Sequence, residues 1–139
     1  MDARTLARLA AVQALYEREA NGTLSNEDEQ DLGAKAKQMA LFNDLNRINK
    51  KIFEQIITTV SRETHNIDEK IKSNLAEGWS FERIGGVLRA VLRAASGEKL
   101  SAPETPNSVI ISEFTGITAG FYDEKEVKFV QGILNKILG

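Results

Sequence analysis

A helix with two contrasting faces is encoded by Asp123-Glu124-Lys125-Glu126-Val127-Lys128-Phe129-Val130-Gln131-Gly132-Ile133-Leu134-Asn135-Lys136-Ile137-Leu138-Gly139. Asp123, with Glu126 three positions on, is the pattern of a helix N-terminus whose free amides need acceptors. At about 100° per residue, one side collects a core stripe: Val127, Val130, Gln131, Leu134 and Leu138. The other side collects Lys125, Lys128, Phe129, Gly132 and Lys136. The stretch predicts a helix that packs on one side and presents cations and an exposed aromatic ring on the other.

Composition predicts one globular domain, residues 1–139, in a reducing cytoplasm. The chain has 42% hydrophobic and 27% charged residues, no cysteine and a net charge of −2. No apolar run approaches the ~20 residues that span a membrane. A net charge of −2 argues against nonspecific coating of nucleic acid, so any binding of RNA or DNA needs a local basic patch.

Helical spacing continues upstream, with few prolines and glycines. We expect a first helix from Asp2 to Ala20, and a polar stretch, Thr23 to Gln38, that is a loosely packed helix or a loop. Further helices are predicted to open at these residues: Asn43 or Asp44, Asn66, Ser80 and Pro106. Six or seven helices with short connections predict a compact all-α bundle.

The first helix has apolar groups on two sides, which places it between neighbours. One face carries Leu6, Leu9, Gln13, Tyr16 and Ala20. The other carries Arg4, Arg8, Ala11, Leu15 and Arg18. We expect its arginines to project at one edge of the bundle.

Two neighbouring glycines, Gly85-Gly86, fall inside the helix predicted from Ser80. Each costs about 1 kcal/mol relative to alanine in a helix interior. No strand precedes them and no Gly-Lys-Ser/Thr follows, so a phosphate-binding loop is disfavoured. Close approach of two helices is the expected reason for them.

Catalysis has little support in the sequence. His65 is the only histidine and lies in a polar stretch, where a surface or capping role is expected. Acid pairs such as Asp68/Glu69 and Glu124/Glu126 suit helix starts, where the macrodipole favours negative charge. We therefore expect a protein without enzyme activity, cofactor or bound metal.

The basic face of the last helix allows two interpretations. Lys125, Lys128 and Lys136 with Phe129 combine phosphate-seeking cations with a ring on which single-stranded bases stack. The same residues also describe an ordinary solvated face, with Glu124 and Lys128 as an i, i+4 ion pair. Spacing alone favours the second interpretation.

Four stretches resemble the bacterial transcription antitermination factor NusB family, in order along nearly the whole chain. The first is Ala7-Arg8-Leu9-Ala10-Ala11-Val12-Gln13-Ala14-Leu15-Tyr16, similar to the family's A-V-Q-A-L-Y helix. The second and third are Val91-Leu92-Arg93-Ala94-Ala95 and Pro106 to Gly116. The last, Lys128-Phe129-Val130-Gln131-Gly132-Ile133-Leu134-Asn135-Lys136-Ile137, is similar to K-F-V-N-G-V-L-D-K-I.

This resemblance implies two packed three-helix groups plus a short extra helix. It also implies two direct partners: the ribosomal small-subunit protein that doubles as the antitermination factor NusE, and single-stranded boxA RNA of ribosomal RNA leaders. The expected role is to help an RNA polymerase antitermination complex read through terminators and to support rRNA maturation. Some members of the family self-associate, so a homodimer stays open.

By motif position, the resemblance implies a set of RNA-contacting residues: Arg4, Arg8, Gln13, Tyr16, Phe121, Lys128, Phe129 and Gln131. The helical projection adds Lys125. Gln13 and Gln131 also allow a structural interpretation, because polar groups on apolar faces need hydrogen-bond partners if buried. For these two, hydrogen bonding between helices and contact with RNA are equally expected.

Departures from the family pattern keep two alternatives open. The family's run of consecutive arginines is thinned to Arg4 and Arg8, and Lys125 replaces an acidic residue that is common before the K-F-V motif. A helical protein-interaction module that has lost RNA binding fits these changes. A fragment of the related domain that regulates an rRNA cytosine methyltransferase is the other alternative.

Overall fold

The computed structural model describes residues 2–25 and 48–139, which fold into five α-helices with no strand among them. These are α1 (Ala3–Ala20), α2 (Lys50–Ser73), α3 (Gly86–Ser101), α4 (Asn107–Ala119) and α5 (Glu124–Leu138). The all-α prediction is confirmed, whereas the count of six or seven helices is not. The polar stretch predicted as a loose helix or loop lies outside the described residues from position 26 onward.

Helix α3 is central to the arrangement. It packs against α1 and α2 on one side and against α4 and α5 on the other. The expected division into two three-helix groups is not established by the five helices of the described residues, which are α3 and four helices that all pack on it. They contribute to one core, whose largest fully buried side chains include Phe53, Leu92 and Phe114.

Helix α1 begins and ends where the sequence predicts. The Asp2 carboxylate accepts a hydrogen bond from the backbone amide of Thr5 at 2.8 Å, and Asn21 caps the C-terminus. Its buried side is built largely from small residues, which allow close packing: Ala7, Ala10, Ala11 and Ala14.

Helix α2 differs from its prediction at both ends. The expected start at Asn43 or Asp44 lies outside the described residues, and the observed helix is capped by Asn49, whose side chain accepts from the Ile52 amide at 3.1 Å. The predicted separate helix from Asn66 has a counterpart, because the backbone of α2 leaves the helical conformation at Glu63 (φ −110°, ψ 19°) and two helical segments meet there, three residues before the predicted start. At this bend the Thr64 hydroxyl donates to the Val60 carbonyl at 2.5 Å, a contact that bends helices without ending them.

Helix α3 starts six residues later than the predicted cap. The Ser80 hydroxyl accepts from the Arg83 amide at 3.2 Å, but this closes only a short turn. Gly85 then has φ +96°, a left-handed conformation that favours glycine and separates the turn from the helix. The expected close approach is found at Gly86 alone, where a Cβ would lie 2.8 Å from the Tyr16 ring of α1; a Cβ on Gly85 would meet nothing within 4 Å.

Helices α4 and α5 form a hairpin across the face of α3. Pro106 precedes the first residue of α4, and Asp123 has the extended backbone of an N-cap, although its side chain makes no capping hydrogen bond. The predicted core positions Val130, Leu134 and Leu138 are buried. Gln131 is exposed, so its assignment to the core stripe is wrong. It lies about 100° from Val130, beyond the edge of the buried stripe.

No helix within residues 2–25 and 48–139 has the length and apolar character needed to cross a membrane.

Candidate nucleic-acid interface

Six side chains from four parts of the chain, all exposed or half-buried, make up what we call the aromatic–lysine surface. Its members are Tyr16 of α1, Trp79 before α3, Phe121 between α4 and α5, and three residues of α5: Lys125, Lys128 and Phe129.

The Trp79 and Phe129 rings of this surface lie against each other. Their centroids are 4.0 Å apart with an interplanar angle of 21°, which is a stacked pair. The Lys125 ammonium lies 5.5 Å from the centroid of the Trp79 ring, within cation–π range. Since Lys125 and Phe129 are one helical turn apart on α5, both contact the same indole.

Tyr16 and Phe121 are unusually exposed for aromatic side chains, at 46% and 52% respectively. The absence of a Cβ on Gly86 leaves room for the Tyr16 ring against the start of α3. Tyr122, next to Phe121, is half-buried, and burial raises its pKa, with further contributions from Glu126 and Tyr16. Tyr16 thus lies near the segment that leads into α5.

Lys128 forms the ion pair that is predicted for an ordinary solvated helix face, with 3.0 Å between its ammonium and the Glu124 carboxylate. Both side chains are more than two-thirds exposed, at 71% and 80%. Exposed pairs of this kind contribute little to stability and dissociate readily. The pair therefore leaves the Lys128 charge accessible to a ligand.

Arg8 does not lie on this surface. Its guanidinium is buried, donating to both Glu98 oxygens at 2.7 Å and to Glu113 at 2.5 Å. Hydrogen bonding to Glu98 raises the pKa of Arg8, so the guanidinium stays charged. The expectation that the α1 arginines project at one edge is wrong for Arg8, and also for Arg18, which is buried and donates to Ser61 of α2 at 3.2 Å.

Arg4 is exposed, but it lies nine positions before Gln13. At about 100° per residue, this spacing places the two side chains on opposite sides of α1. Arg4 instead lines a cavity with Lys51 and Glu104. Gln13 and Gln131 are both exposed. Their exposure removes the interpretation in which buried amides bond between helices.

A second, partly buried ion network holds the C-terminal half of α1 against α2 and α3. The Glu19 carboxylate accepts from Arg89 at 2.5 Å and also from Arg93, which pairs with Asp68 at 2.8 Å. Burial acts to raise the pKa of Glu19, but the hydrogen bonds from the two arginines outweigh it and hold that pKa below its usual value. Glu19 is three residues from Tyr16, so this network fixes the helix that presents the Tyr16 ring.

Trp79 is the member of the surface that sequence reasoning missed. It is the only tryptophan, placed between Gly78 and Ser80 and outside any helix. As the single tryptophan of the sequence, Trp79 could have been singled out as a candidate binding residue, but no helical periodicity connects it to Phe129.

Other chemistry finds little support in the described part of the chain. His65 lies exposed on α2, away from any hydrogen bond that would activate it. No group of three or more His, Asp or Glu side chains among residues 2–25 and 48–139 is arranged to hold a metal ion.

Comparison with known proteins points to one family. The NusB family model matches residues 5–139. The transcription antitermination protein NusB of Gluconobacter oxydans is 37% identical over 138 residues, covering 96% of this chain and 85% of that protein. The protein of the same name from Mesorhizobium japonicum is 34% identical, covering 96% of this chain and 87% of that protein.

The fold has a solved counterpart. NusB of T. maritima superposes with a TM-score of 0.75 at 28% identity, covering 99% of this chain and 92% of that one. Fold and sequence together thus define the class of this protein, an all-helical protein that acts in transcription. The chain belongs to the NusB family of transcription antitermination proteins.

Proposed function

We propose that this protein, acting as a single domain, binds single-stranded boxA RNA of ribosomal RNA leaders through the aromatic–lysine surface. In this role it works in the cytoplasm with the ribosomal protein NusE, as part of an RNA polymerase antitermination complex, and supports rRNA maturation. It performs no chemistry of its own and requires no cofactor.

One observation carries the proposal: Tyr16 and Phe121 remain about half exposed, and the lysines Lys125 and Lys128 that follow Phe121 in the chain are exposed as well. Aromatic side chains of this size bury large apolar areas, and their exposure next to cations is the pattern of single-stranded nucleic-acid binding. Bases stack on the rings, and Lys125 and Lys128 neutralise phosphates. Membership of an antitermination family supports RNA as the ligand.

The remaining predicted contact residues divide by position. Gln13, exposed one turn before Tyr16, and Gln131, exposed on α5, supply amides for base edges at the margin of the surface. Arg4 lies at the far end of α1 and acts on the RNA by long-range attraction. Arg8 acts indirectly, by holding α1 in place through Glu98 and Glu113.

A direct test is a titration of the purified chain with a fluorescent boxA-like RNA, with and without the small-subunit ribosomal protein. Lys128→Glu is expected to weaken binding at every salt concentration. Lys50→Glu is the matched control, because it makes the same charge change at the exposed start of α2. Equal weakening by both variants would contradict the proposed surface, since it would show only a net-charge effect.

A second candidate is a protein-interaction module without RNA binding. The observation that favours it is the burial of Arg8, which leaves Arg4 as the exposed arginine of α1 in a chain of net charge −2. Recovery of the ribosomal partner in a pull-down, with no boxA retention even in the complex, would select this candidate. Sedimentation of the free chain decides whether a homodimer competes with either.

A further inference from the structure

A cleft of about 260 Å³ lies where the second half of α2, the end of α3 and the last turn of α5 meet. Two lysines border it, Lys70 of α2 and Lys99 of α3. Its apolar floor consists of three buried side chains, Ile67, Ile137 and Leu138. Tyr16 of the aromatic–lysine surface meets α3 at Gly86, roughly 20 Å along the helix from Lys99 at 1.5 Å per residue. The cleft is therefore separate from the proposed RNA-binding surface.

A bend in α2 and a short side chain on α3 leave this space open. At Gly97 the two helices touch, because a Cβ there would lie 2.7 Å from the Val60 side chain. Three residues further along α2, the backbone departs from helical geometry at Glu63, which redirects the rest of the helix. Ser96 lines the cleft from α3. Its hydroxyl donates to the Leu92 carbonyl at 2.8 Å, so this short side chain stays close to its own helix and does not fill the gap.

The two lysines bring positive charge to the rim of this apolar cleft. The Lys99 ammonium donates to the carbonyls of Pro103 and Thr105 at 3.0 Å each, which uses two of its three N–H donors. Within the part of the chain that the structure describes, neither Lys70 nor Lys99 forms an ion pair with a carboxylate. Two such ammonium groups beside an apolar floor favour a ligand that joins an apolar group to a carboxylate.

A longer groove of about 610 Å³ continues from the cleft along α2, on the N-terminal side of the bend. The two spaces share Glu63 and Leu100. Leu100 is 57% exposed, so an apolar side chain is uncovered where they join. The groove is otherwise lined mainly by polar side chains that can hydrogen-bond a peptide backbone, among them Gln55, Thr58, Arg62 and Ser101. An apolar cleft with cations at its rim therefore lies at the end of a polar groove.

We propose that the cleft and the groove together bind the C-terminal end of a partner protein whose last residue has a branched apolar side chain. That side chain fills the cleft, the terminal carboxylate lies between Lys70 and Lys99, and the preceding residues lie extended along the groove across Leu100. Glu63 lies where the two spaces join, and its carboxylate accepts from the Asn66 amide at 2.8 Å. A backbone N–H of the bound peptide is a second donor for it. This interface does not rest on the proposed RNA-binding function.

Size and charge favour a protein C-terminus over other ligands. The cleft is smaller than the roughly 300–1,000 Å³ of drug-sized sites, which suits one side chain and a carboxylate. A small apolar acid would occupy the cleft alone and leave the groove and Leu100 uncovered, and an internal peptide segment would bring no negative charge to the lysines. Nucleic acid is disfavoured because the carboxylates of Glu54 and Glu63 line the groove. Capture of a terminal carboxylate is a recurrent mode of peptide recognition.

The first experiment varies the peptide. The full chain is titrated with fluorescein-labelled Gly-Ser-Gly-Ser-Val-Leu that has a free terminal carboxylate, and fluorescence anisotropy reports binding. The same peptide ending in a carboxamide is the matched control, because it keeps every side chain and removes the charge. We expect the carboxamide to bind about ten-fold or more weakly, the scale of one charge-assisted hydrogen bond. Alanine in place of the terminal leucine is expected to weaken binding about five- to fifty-fold, because most of the apolar side chain is lost.

The second experiment varies the protein. Lys70→Gln is expected to reduce the preference for the carboxylate over the carboxamide about two- to five-fold, the range of an exposed ion pair. Lys72→Gln is the matched control, because it makes the same charge change at an exposed position about 200° around α2. Ser96→Leu fills the cleft and is expected to weaken binding of the peptide about ten-fold or more. The same substitution at Ser112, which is exposed on α4, is expected to leave peptide binding unchanged.

Circular dichroism shows whether each variant is folded, and Lys70→Gln, at an exposed position, tests the proposal even if Ser96→Leu does not fold. Equal affinity for the carboxylate and carboxamide peptides would overturn the proposal, as would equal effects of Lys70→Gln and Lys72→Gln on that preference. Octanoate that binds as tightly as the peptide would also overturn it, since a small acid would then account for the site. So would competition by boxA-like RNA, because the two surfaces are proposed to be separate. Absence of peptide binding overturns this proposal alone, because RNA titration of the same sample tests the proposed function.

Discussion

The guanidinium of Arg8 and the carboxylate of Glu98 meet in two parallel hydrogen bonds, each 2.7 Å long, inside the protein. Their side chains are only 5% and 4% exposed. Glu113 accepts from the same guanidinium at 2.5 Å, so one arginine joins α1, α3 and α4. The residue that resembles a family RNA contact therefore has a structural role in this chain.

Breaking this pair from one side is expected to be costly. Glu98→Ala leaves the buried Arg8 charge without its bidentate partner, and we expect a loss of about 3–5 kcal/mol in the free energy of unfolding. Urea denaturation at pH 7 measures it. The double variant Arg8→Met/Glu98→Leu is the control, because replacing both charges by apolar groups is often nearly neutral. An unchanged urea midpoint for Glu98→Ala would contradict the structure.

Glu19 gives the protein an acid-sensitive contact. Because its pKa is held below the ordinary value of 4.5 in the folded state, its stabilising effect is fully present above about pH 4.5. That stabilisation is lost as the pH falls through the lowered pKa. We expect Glu19→Gln to be less stable at pH 7 and to lose less stability between pH 5 and 3 than the unmodified chain. Equal losses over that range, measured by urea denaturation at each pH, would contradict the assignment.

Two glycines are expected to respond in opposite directions to alanine. A Cβ on Gly97 would lie 2.7 Å from Val60 and 3.1 Å from the Ile56 carbonyl, so α2 and α3 have to move apart. We expect Gly97→Ala to destabilise the fold by about 1–3 kcal/mol. Gly132→Ala meets no neighbour and is expected to stabilise it by up to about 1 kcal/mol. Thermal and urea unfolding of both variants provide the measurement, and shifts of the same sign would be inconsistent with the packing.

Phe121 offers a test of binding that leaves the fold intact. Its ring is half exposed, so Phe121→Ala is expected to change the free energy of unfolding by no more than about 0.5 kcal/mol. Loss of one aromatic ring on which a base stacks is expected to weaken the binding of boxA-like RNA by about 1–3 kcal/mol. Leu100→Ala is the control, because Leu100 is 57% exposed at the other end of α3. Equal effects of the two variants on RNA affinity would argue against stacking at Phe121.

The salt dependence of RNA binding measures how many phosphates the surface neutralises. Each contributes about −0.7 to the slope of log K against log salt concentration for a single strand. Lys125→Gln is therefore expected to reduce the slope by about 0.7, and Lys50→Gln to leave it unchanged. Titrations between 50 and 300 mM salt, roughly the range where such slopes are linear, provide the measurement. A slope that is insensitive to Lys125 would remove that residue from the phosphate-binding set.

Features set by neighbouring residues could be predicted from the sequence. Asp2 caps α1, and the period of α5 places Val130 and Leu134 inside and Lys125 outside, as expected. These depend on hydrogen bonds and periodicity within a few residues of the chain. The same local reasoning failed at Ser80, which resembles a cap but closes only a short turn, and it placed the break in α2 at Asn66 instead of Glu63.

Features set by distant residues could not be predicted. The burial of Arg8 depends on Glu98 and Glu113, which are 90 and 105 positions away. Trp79 stacks on Phe129 only because the turn before α3 returns to α5. Periodicity within one helix contains no information about either contact.

Because α3 packs on α1, α2, α4 and α5, the order in which the helices are synthesised affects how the chain folds on the ribosome. Helix α1 is synthesised first, yet its buried arginine finds Glu98 at the end of α3 and Glu113 in α4. A nascent chain that ends before Gly86 contains α1 and α2 without the helix that packs on both of them. The apolar side chains of α1 and α2 that α3 covers in the finished fold are therefore exposed in such a nascent chain until α3 has been synthesised.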